Sequence, residues 1–405
     1  MAQLTTTPTN NGQALLDAQL DLWGSTFAYI KSMALKSALD LRIADAIHHH
    51  GGAATLHQIA TAAAVHPAKI PILRRLMRAL TATGVFSTAA SHDDGEFVYA
   101  LTLTSRLLLG RGAGSLVPIT AMTLHPALVS SFFELGTWLR REMPEPSIFK
   151  LSHGQTFWEM ADGDKTFDAL VNDGMASDSR FVMDIAINEC GEVFQGITSL
   201  IDVAGGLGGA AQDISKAFPH LECSVLDLDH VVAGAPKDTA VKYIAGDMFQ
   251  SIPPANAVFL KDCVTILKNC KEAIPSRDAG GKVIIMDMVV GAGPSGSNRK
   301  EMQAVFDLYM VIINGMERDE QEWKKIIFEA GFSGYKIIPV LAPLPNDDQA
   351  LLSGWRPSSS SPLTVLDPPS LVASFHQPAP LPSQSLRVKV HHYWDSRNYP
   401  HVSMG

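Results

Sequence analysis

Between Leu200 and Lys261 the chain reads LIDVAGGLGGAAQDI, VLDLDHV, AGDMF and VFLK in order, a succession of apolar runs each closed by glycine, a carboxylate or a lysine. Short apolar runs bounded by turn residues, with a helical stretch between the first two, are the rhythm of an α/β sheet. The first strand ends at Val203 and runs into a bend holding Gly205, Gly206, Gly208 and Gly209, where bare backbone lets a ligand come close. A helix is expected over 210–218. The second strand then ends at Asp227, whose carboxylate can accept two hydrogen bonds from a ribose diol. The third ends at Asp247-Met248, an acceptor for an adenine amino group beside a soft side chain suited to the ring face. These strand ends imply a nucleoside-bearing ligand.

The bend alone leaves two cofactor classes open, because Gly206-x-Gly208-x-x-Ala211 also satisfies the dinucleotide fingerprint. The second acidic site at Asp247, and a large helical segment placed before the sheet, favour an adenosyl ligand over a nicotinamide. With 405 residues, 46% of them hydrophobic, the chain can bury two domains' worth of core and carry a tail. A net charge of −9 argues against nonspecific nucleic-acid binding. No apolar run reaches membrane-spanning length and the first residues lack a secretory pattern, so no membrane partner and a cytoplasmic location are expected. Cys190, Cys223, Cys263 and Cys270 lack paired-ligand spacing and read as reduced core thiols.

In the first half, Leu16, Leu20, Trp23, Phe27 and Ile30 lie on one stripe of a helix expected over 14–47, a stripe that needs a partner. Two shorter helices follow, over 55–64 with Thr55 as cap and over 67–82 with Pro67 in the first turn. Short strands flank the polar turn His92-Asp93-Asp94-Gly95, giving a winged-helix pattern. Lys69, Arg74, Arg75 and Arg78 could suggest a DNA-reading helix. The acidic whole favours instead a buried face of Leu73, Leu76, Met77 and Leu80 with solvated arginines at its edge. Helices are also expected over 122–141 and 157–189. The triplet His48-His49-His50 reads as a solvated helix end, with no metal site, since no carboxylate or cysteine stands at ligand spacing.

Taken together, these motifs resemble the plant small-molecule O-methyltransferases that use S-adenosylmethionine, over roughly residues 13–340. The resemblance implies an α/β fold: a Rossmann-like class I methyltransferase sheet preceded by an α-helical winged-helix dimerisation domain. The corresponding division is a disordered start over 1–13, a dimerisation domain over 14–110, a helical pocket segment over 111–190, a cofactor-binding domain over 191–341 and an atypical tail over 342–405. It further implies a homodimer, a phenolic or indolic acceptor, and S-adenosylmethionine contacts from Gly205, Gly206, Asp227, Asp247, Met248 and Lys261. Met122, Phe167, Met175 and Met183 would stand near the walls of the acceptor pocket, although each taken singly is more often plain core.

Two departures bear on chemistry. In the family, a histidine just past the strand matching 257–261 takes the phenol proton, but here Lys261 is followed directly by Asp262-Cys263-Val264-Thr265-Ile266-Leu267 and no histidine occurs between His230 and His376. Its accessory carboxylates survive by position as Asp287 and Glu317, left with no imidazole to orient. Ala204 also stands where the family carries glycine, tolerable if its φ is negative. Past Val340 the chain holds ten of its 24 prolines, so disorder is expected there, with Leu386–Tyr393 the one stretch suited to a replacement edge strand. The reading is an O-methyltransferase impaired by loss of its base. The alternative is an inactive relative that binds S-adenosylmethionine or dimerises with intact copies.

Overall fold

The computed structural model describes residues 8–90, 97–112, 114–142, 146–261, 266–292, 297–340 and 371–376. The chain divides into two compact units, one of residues 1–129 with 165–178, the other of 130–164 with 179–405.

In the first unit the expected long helix is three: Pro8–Thr26, Ala28–Asp40 and Ile43–His49. The first begins six residues before Ala14, inside the stretch expected to be disordered. Arg42, at φ +50°, turns the chain between the second and third. A strand Ala53–Thr55 (β1) leads into the helix Leu56–Ala62, where Thr55 and Gln58 form a reciprocal capping box. The helix Ile70–Ala82 buries Leu73, Met77 and Leu80 at steps of four and three, with Leu76 of the expected face only half-buried, while Lys69, Arg74, Arg75 and Arg78 stay exposed. Strands Phe86–Ala90 (β2) and Phe97–Leu101 (β3) pair antiparallel, and β1 joins the free edge of β3. Ile43, Ile47, Ile59, Met77 and Phe86 fill the core between helices and wing. The stripe is open: Leu20 is 68% exposed, and Trp23 and Phe27 are each 46% exposed and stacked on one another.

The second unit is built on a seven-stranded sheet. Its strands are Ser199–Val203 (β4), Glu222–Asp227 (β5), Lys242–Ala245 (β6), Ala257–Lys261 (β7) and Lys282–Asp287 (β8); after the short strands Val289–Val290 (β9) and Arg318–Asp319 (β10) come Tyr335–Pro339 (β11) and Leu371–His376 (β12). The order across the sheet is β11-β12-β8-β7-β4-β5-β6. From β4 the chain steps outward to β5 and β6, then returns to β7 on the opposite flank of β4. That reversal opens a crevice beyond the carboxyl ends of β4 and β7, where α/β sheets take their ligands. Val258, Phe259 and Leu260 in β7 and Val283 and Ile284 in β8 are fully buried, which explains why these strands read as continuous apolar runs rather than alternating ones.

The tail departs from expectation. Leu371–His376 inserts between β8 and β11, antiparallel to both, with register from Leu371↔Asp287 to His376↔Lys282 on one side and from Tyr335↔Phe375 to Pro339↔Leu371 on the other. Two strands with unpaired backbone edges accept a third that satisfies both, and the apolar run between Pro369 and Pro378 supplies it. The stretch Leu386–Tyr393 lies outside the described residues.

Candidate active site

The glycine bend after β4 is held from below by a buried carboxylate. Asp202, 3% exposed, lies under Gly205, where an added Cβ would stand 2.5 Å from Oδ2. One oxygen, Oδ2, has no hydrogen-bond partner among the described residues. Burial pushes the Asp202 carboxyl up to about 7; the Ala211 N–H opposes the rise, the charge of Asp227 adds to it, and Lys261 opposes it. Ala204 adopts φ +56°, so the condition under which its methyl would be harmless is not met. A side chain in the left-handed region costs about 1–2 kcal/mol, and this one is half-buried against the sheet core.

At the crest, Gly206 donates its N–H to Asp227 Oδ2 at 2.8 Å, and Leu228 donates to Asp227 Oδ1 at 2.8 Å. Each oxygen keeps a further lone pair, so the carboxylate is aimed by the backbone and still able to accept from a diol. Among the described residues an added Cβ on Gly206 would meet nothing within 4 Å, so there the crest borders open space. Below it, Gly208 at φ +76° caps the helix Gly209–Ala217. Asp247 accepts from the Phe249 N–H at 2.9 Å and from Gln250 Nε2 at 3.2 Å, just beyond β6. Met248 is buried in the sheet core beside Ile252 and Leu226. Lys261 closes β7, close enough to Asp202 for their charges to interact. Residues 262–265 lie outside the described residues.

Asp287 and Glu317 each precede one of two short strands that pair, a feature the sequence did not advertise. β9 and β10 pair in parallel, Arg318 opposite Val289, which brings the chain just after Asp287 alongside the chain just after Glu317. Asp287 Oδ1 accepts from the Met288 N–H at 2.7 Å, and the Glu317 N–H donates to Asp307 Oδ1 at 2.7 Å. The four residues expected near the acceptor are described each within its own unit. Met122 and Phe167 are buried and Met175 is 41% exposed in the first, while Met183 is fully buried in the second. Met122 rests on the bare backbone of Gly174, and the Phe167 ring lies 5.4 Å from that of His125. Sequence reasoning passed over Asp202, which looked like one more residue of an apolar strand, and Tyr243 and Gln212, whose meeting at the bend depends on β5 and β6 pairing in register.

Among the described residues no cluster of potential metal ligands occurs, and no helix is long and apolar enough to cross a membrane. Cys190, Cys223 and Cys270 are buried thiols; burial first, then nearby carboxylates, push Cys190 and Cys223 up to about 11, which leaves them chemically inert.

Comparison with known proteins decides the family. The O-methyltransferase domain matches residues 132–333, and the O-methyltransferase dimerisation domain matches 23–111. This chain belongs to the O-methyltransferase family. O-methyltransferase ZRP4 of Zea mays is 62% identical over 344 residues, covering 81% of this chain and 94% of that protein. The 5-pentadecatrienyl resorcinol O-methyltransferase of Sorghum bicolor is 48% identical over 82% of this chain and 96% of its own, and acetylserotonin O-methyltransferase 1 of Oryza sativa subsp. japonica is 48% identical over 81% and 93%. Among solved structures, CalO1 in its SAH-bound form aligns with TM-score 0.67 at 24% identity, over 90% of this chain and 99% of that one. Human N-acetylserotonin methyltransferase in complex with SAM gives TM-score 0.67 at 12% identity, over 93% and 100%. The fold of this O-methyltransferase is the class I methyltransferase fold, with its parallel central sheet and a helical dimerisation domain ahead of it.

Proposed function

We propose that this O-methyltransferase binds S-adenosylmethionine in the crevice between β4 and β7, methylates a phenolic or indolic hydroxyl, and does so slowly because its proton acceptor is missing. The observation that carries the cofactor assignment is the Asp227 carboxylate, oriented by the Gly206 and Leu228 amides at the edge of an open glycine crest. When bound, S-adenosylmethionine would supply a sulfonium methyl whose carbon a nucleophilic oxygen attacks, the carbon–sulfur bond breaking to leave S-adenosylhomocysteine. Asp227 would hold the ribose diol, Asp247 the adenine amino group, and Gly205 and Gly206 would admit the ligand's close approach, with Met248 and Lys261 at the margins of the same crevice.

The acceptor must lose its hydroxyl proton. A phenol of pKa ~10 is about one part in a thousand ionised at neutral pH, so a base beside it raises the population that can attack. No histidine follows β7 in this sequence before His376. Asp287 and Glu317 are carboxylates, poorly matched to that proton, and loss of general-base help costs ~10²–10⁴ in rate. Met122, Phe167, Met175 and Met183 remain the residues we assign to the acceptor's surroundings.

The open apolar stripe of Leu16, Leu20, Trp23, Phe27 and Ile30 lies in and just before the matched dimerisation domain, and a second copy of the chain is its assigned cover. The test is calorimetry with S-adenosylhomocysteine followed by turnover on catechols, flavonoids and hydroxyindoles. Binding with turnover at least a hundredfold below a histidine-bearing relative is expected. Ordinary turnover would remove the missing-base argument, and no heat from a folded sample would remove the cofactor assignment.

A further inference from the structure

A second set of contacts at the glycine bend lies away from the strand-end carboxylates. Tyr243, in β6, donates its hydroxyl to the Leu207 carbonyl at 2.9 Å. Gln212, in the first turn of the helix Gly209–Ala217, directs Nε2 to that same carbonyl at 3.1 Å and to the Tyr243 hydroxyl at 3.1 Å. A carbonyl oxygen only accepts, which fixes every direction in the triangle: the amide nitrogen gives one proton to each oxygen, and the phenol gives its own to Leu207. Both lone pairs of the Leu207 carbonyl are then used. The other end of that peptide is held too, because the Gly208 N–H donates to the Gly205 carbonyl at 2.9 Å.

The Tyr243 ring also explains Gly208. An added Cβ there would stand 2.6 Å from the hydroxyl and 3.1 Å from the ring edge, and φ is +76°, so close approach and backbone conformation both require glycine. Gly206, whose N–H aims Asp227, lies one residue before the pinned peptide. A bend of bare glycines has many conformations of similar energy, and only a fraction of them present that N–H to Asp227. A ligand binding the competent form sees its affinity reduced by that fraction.

We propose that Tyr243 and Gln212 are positioning residues which hold the glycine bend in its ligand-ready form and so set cofactor affinity. The latch tethers the bend to β6 on one side and to the following helix on the other. It touches neither the acceptor nor the transferred group, so it acts on donor affinity and leaves acceptor handling alone. This inference rests on the assignment of the crevice to S-adenosylmethionine.

Tyr243→Phe tests it, because the ring that packs on Gly208 is kept and only the hydroxyl is removed. Calorimetry with S-adenosylhomocysteine should show a dissociation constant raised roughly five- to twentyfold, as expected for loss of two hydrogen bonds that order the site. Gln212→Leu should weaken binding similarly, and the double variant by less than the product of the two, since both act on one carbonyl. The melting temperature should fall by no more than ~7 °C, the most that the same lost free energy accounts for, and a larger fall would mark a structural role and overturn the positioning one. A binding parent whose Tyr243→Phe variant binds equally well overturns the latch alone. A parent that gives no heat overturns the cofactor assignment and the latch with it. Multiplicative losses in the double variant overturn the shared-carbonyl argument.

Discussion

Ala204 and Gly205 are adjacent, yet exchanging the residue type at each should act in opposite directions. Gly205→Ala places a methyl 2.5 Å from Asp202 Oδ2 and 2.6 Å from its Cγ, against a side chain that is 3% exposed and has nowhere to withdraw. Forcing a methyl into a filled site costs about 1–3 kcal/mol, from which the reduced freedom of the unfolded chain returns ~0.4–1. The net loss is at most about 2.6 kcal/mol and ~1.3 kcal/mol at the centre of both ranges. At Ala204 the backbone sits at φ +56°, so glycine relieves ~1–2 kcal/mol of left-handed strain and gives back ~0.5–1 in chain entropy and part of a methyl contact. That substitution should leave stability unchanged or raise it by up to ~1 kcal/mol. At about 2–4 °C per kcal/mol, scanning fluorimetry should find Gly205→Ala lower by ~3–5 °C at the centre of the range and by no more than ~10 °C, and Ala204→Gly level or higher by up to ~4 °C. The same Gly205→Ala shift displaces the bend, so its affinity for S-adenosylhomocysteine should fall by at least tenfold. A Gly205→Ala variant with parental melting and affinity, or an Ala204→Gly variant that melts lower, would refute the reasoning.

Three further outcomes follow from the structure. Asp202 holds its proton to about 7 in the folded state against 3.8 ordinarily, so the folded chain binds more protons than the unfolded one between those values. Stability should therefore be fullest below ~4 and decline as pH rises to ~7, by up to ~4 kcal/mol from this group, and Asp202→Asn should flatten the decline between pH 5 and 8; equal slopes in parent and variant would contradict this. Truncation after Val340 removes β12 and leaves β8 and β11 with unpaired edges, so light scattering should detect aggregation that the full chain lacks, and a monodisperse truncated protein would argue against the role given to the strand. Replacing Leu20 and Trp23 together by aspartate should shift the sedimentation profile from dimer to monomer without changing the melt of the methyltransferase unit; an unchanged profile would place the contact elsewhere.

Much of the fold was legible because its rules are local. The strand ends at Val203, Asp227 and Lys261, the capping box at Thr55 and the buried face of Leu73, Met77 and Leu80 each follow from a few neighbouring residues. The long helix expected over 14–47 was not one helix, since an apolar stripe continues across the turn at Arg42 and periodicity cannot register a single left-handed residue. The strand at Leu371–His376 was missed for a different reason. Its run is short and set among prolines, and only the joint demand of β8 and β11 for partners selects it.

The sequence by itself determined that the strands of an α/β sheet would end in a glycine bend and in carboxylates, because glycine's freedom and a carboxylate's acceptors belong to the residues themselves. Only tertiary structure decided that Ala204 would be strained, that Asp202 would be buried under the bend, and that Tyr243 and Gln212 would meet on one carbonyl. Those facts depend on strand register and on the angle at which a helix leaves its loop. Both are set by packing between segments far apart in the chain.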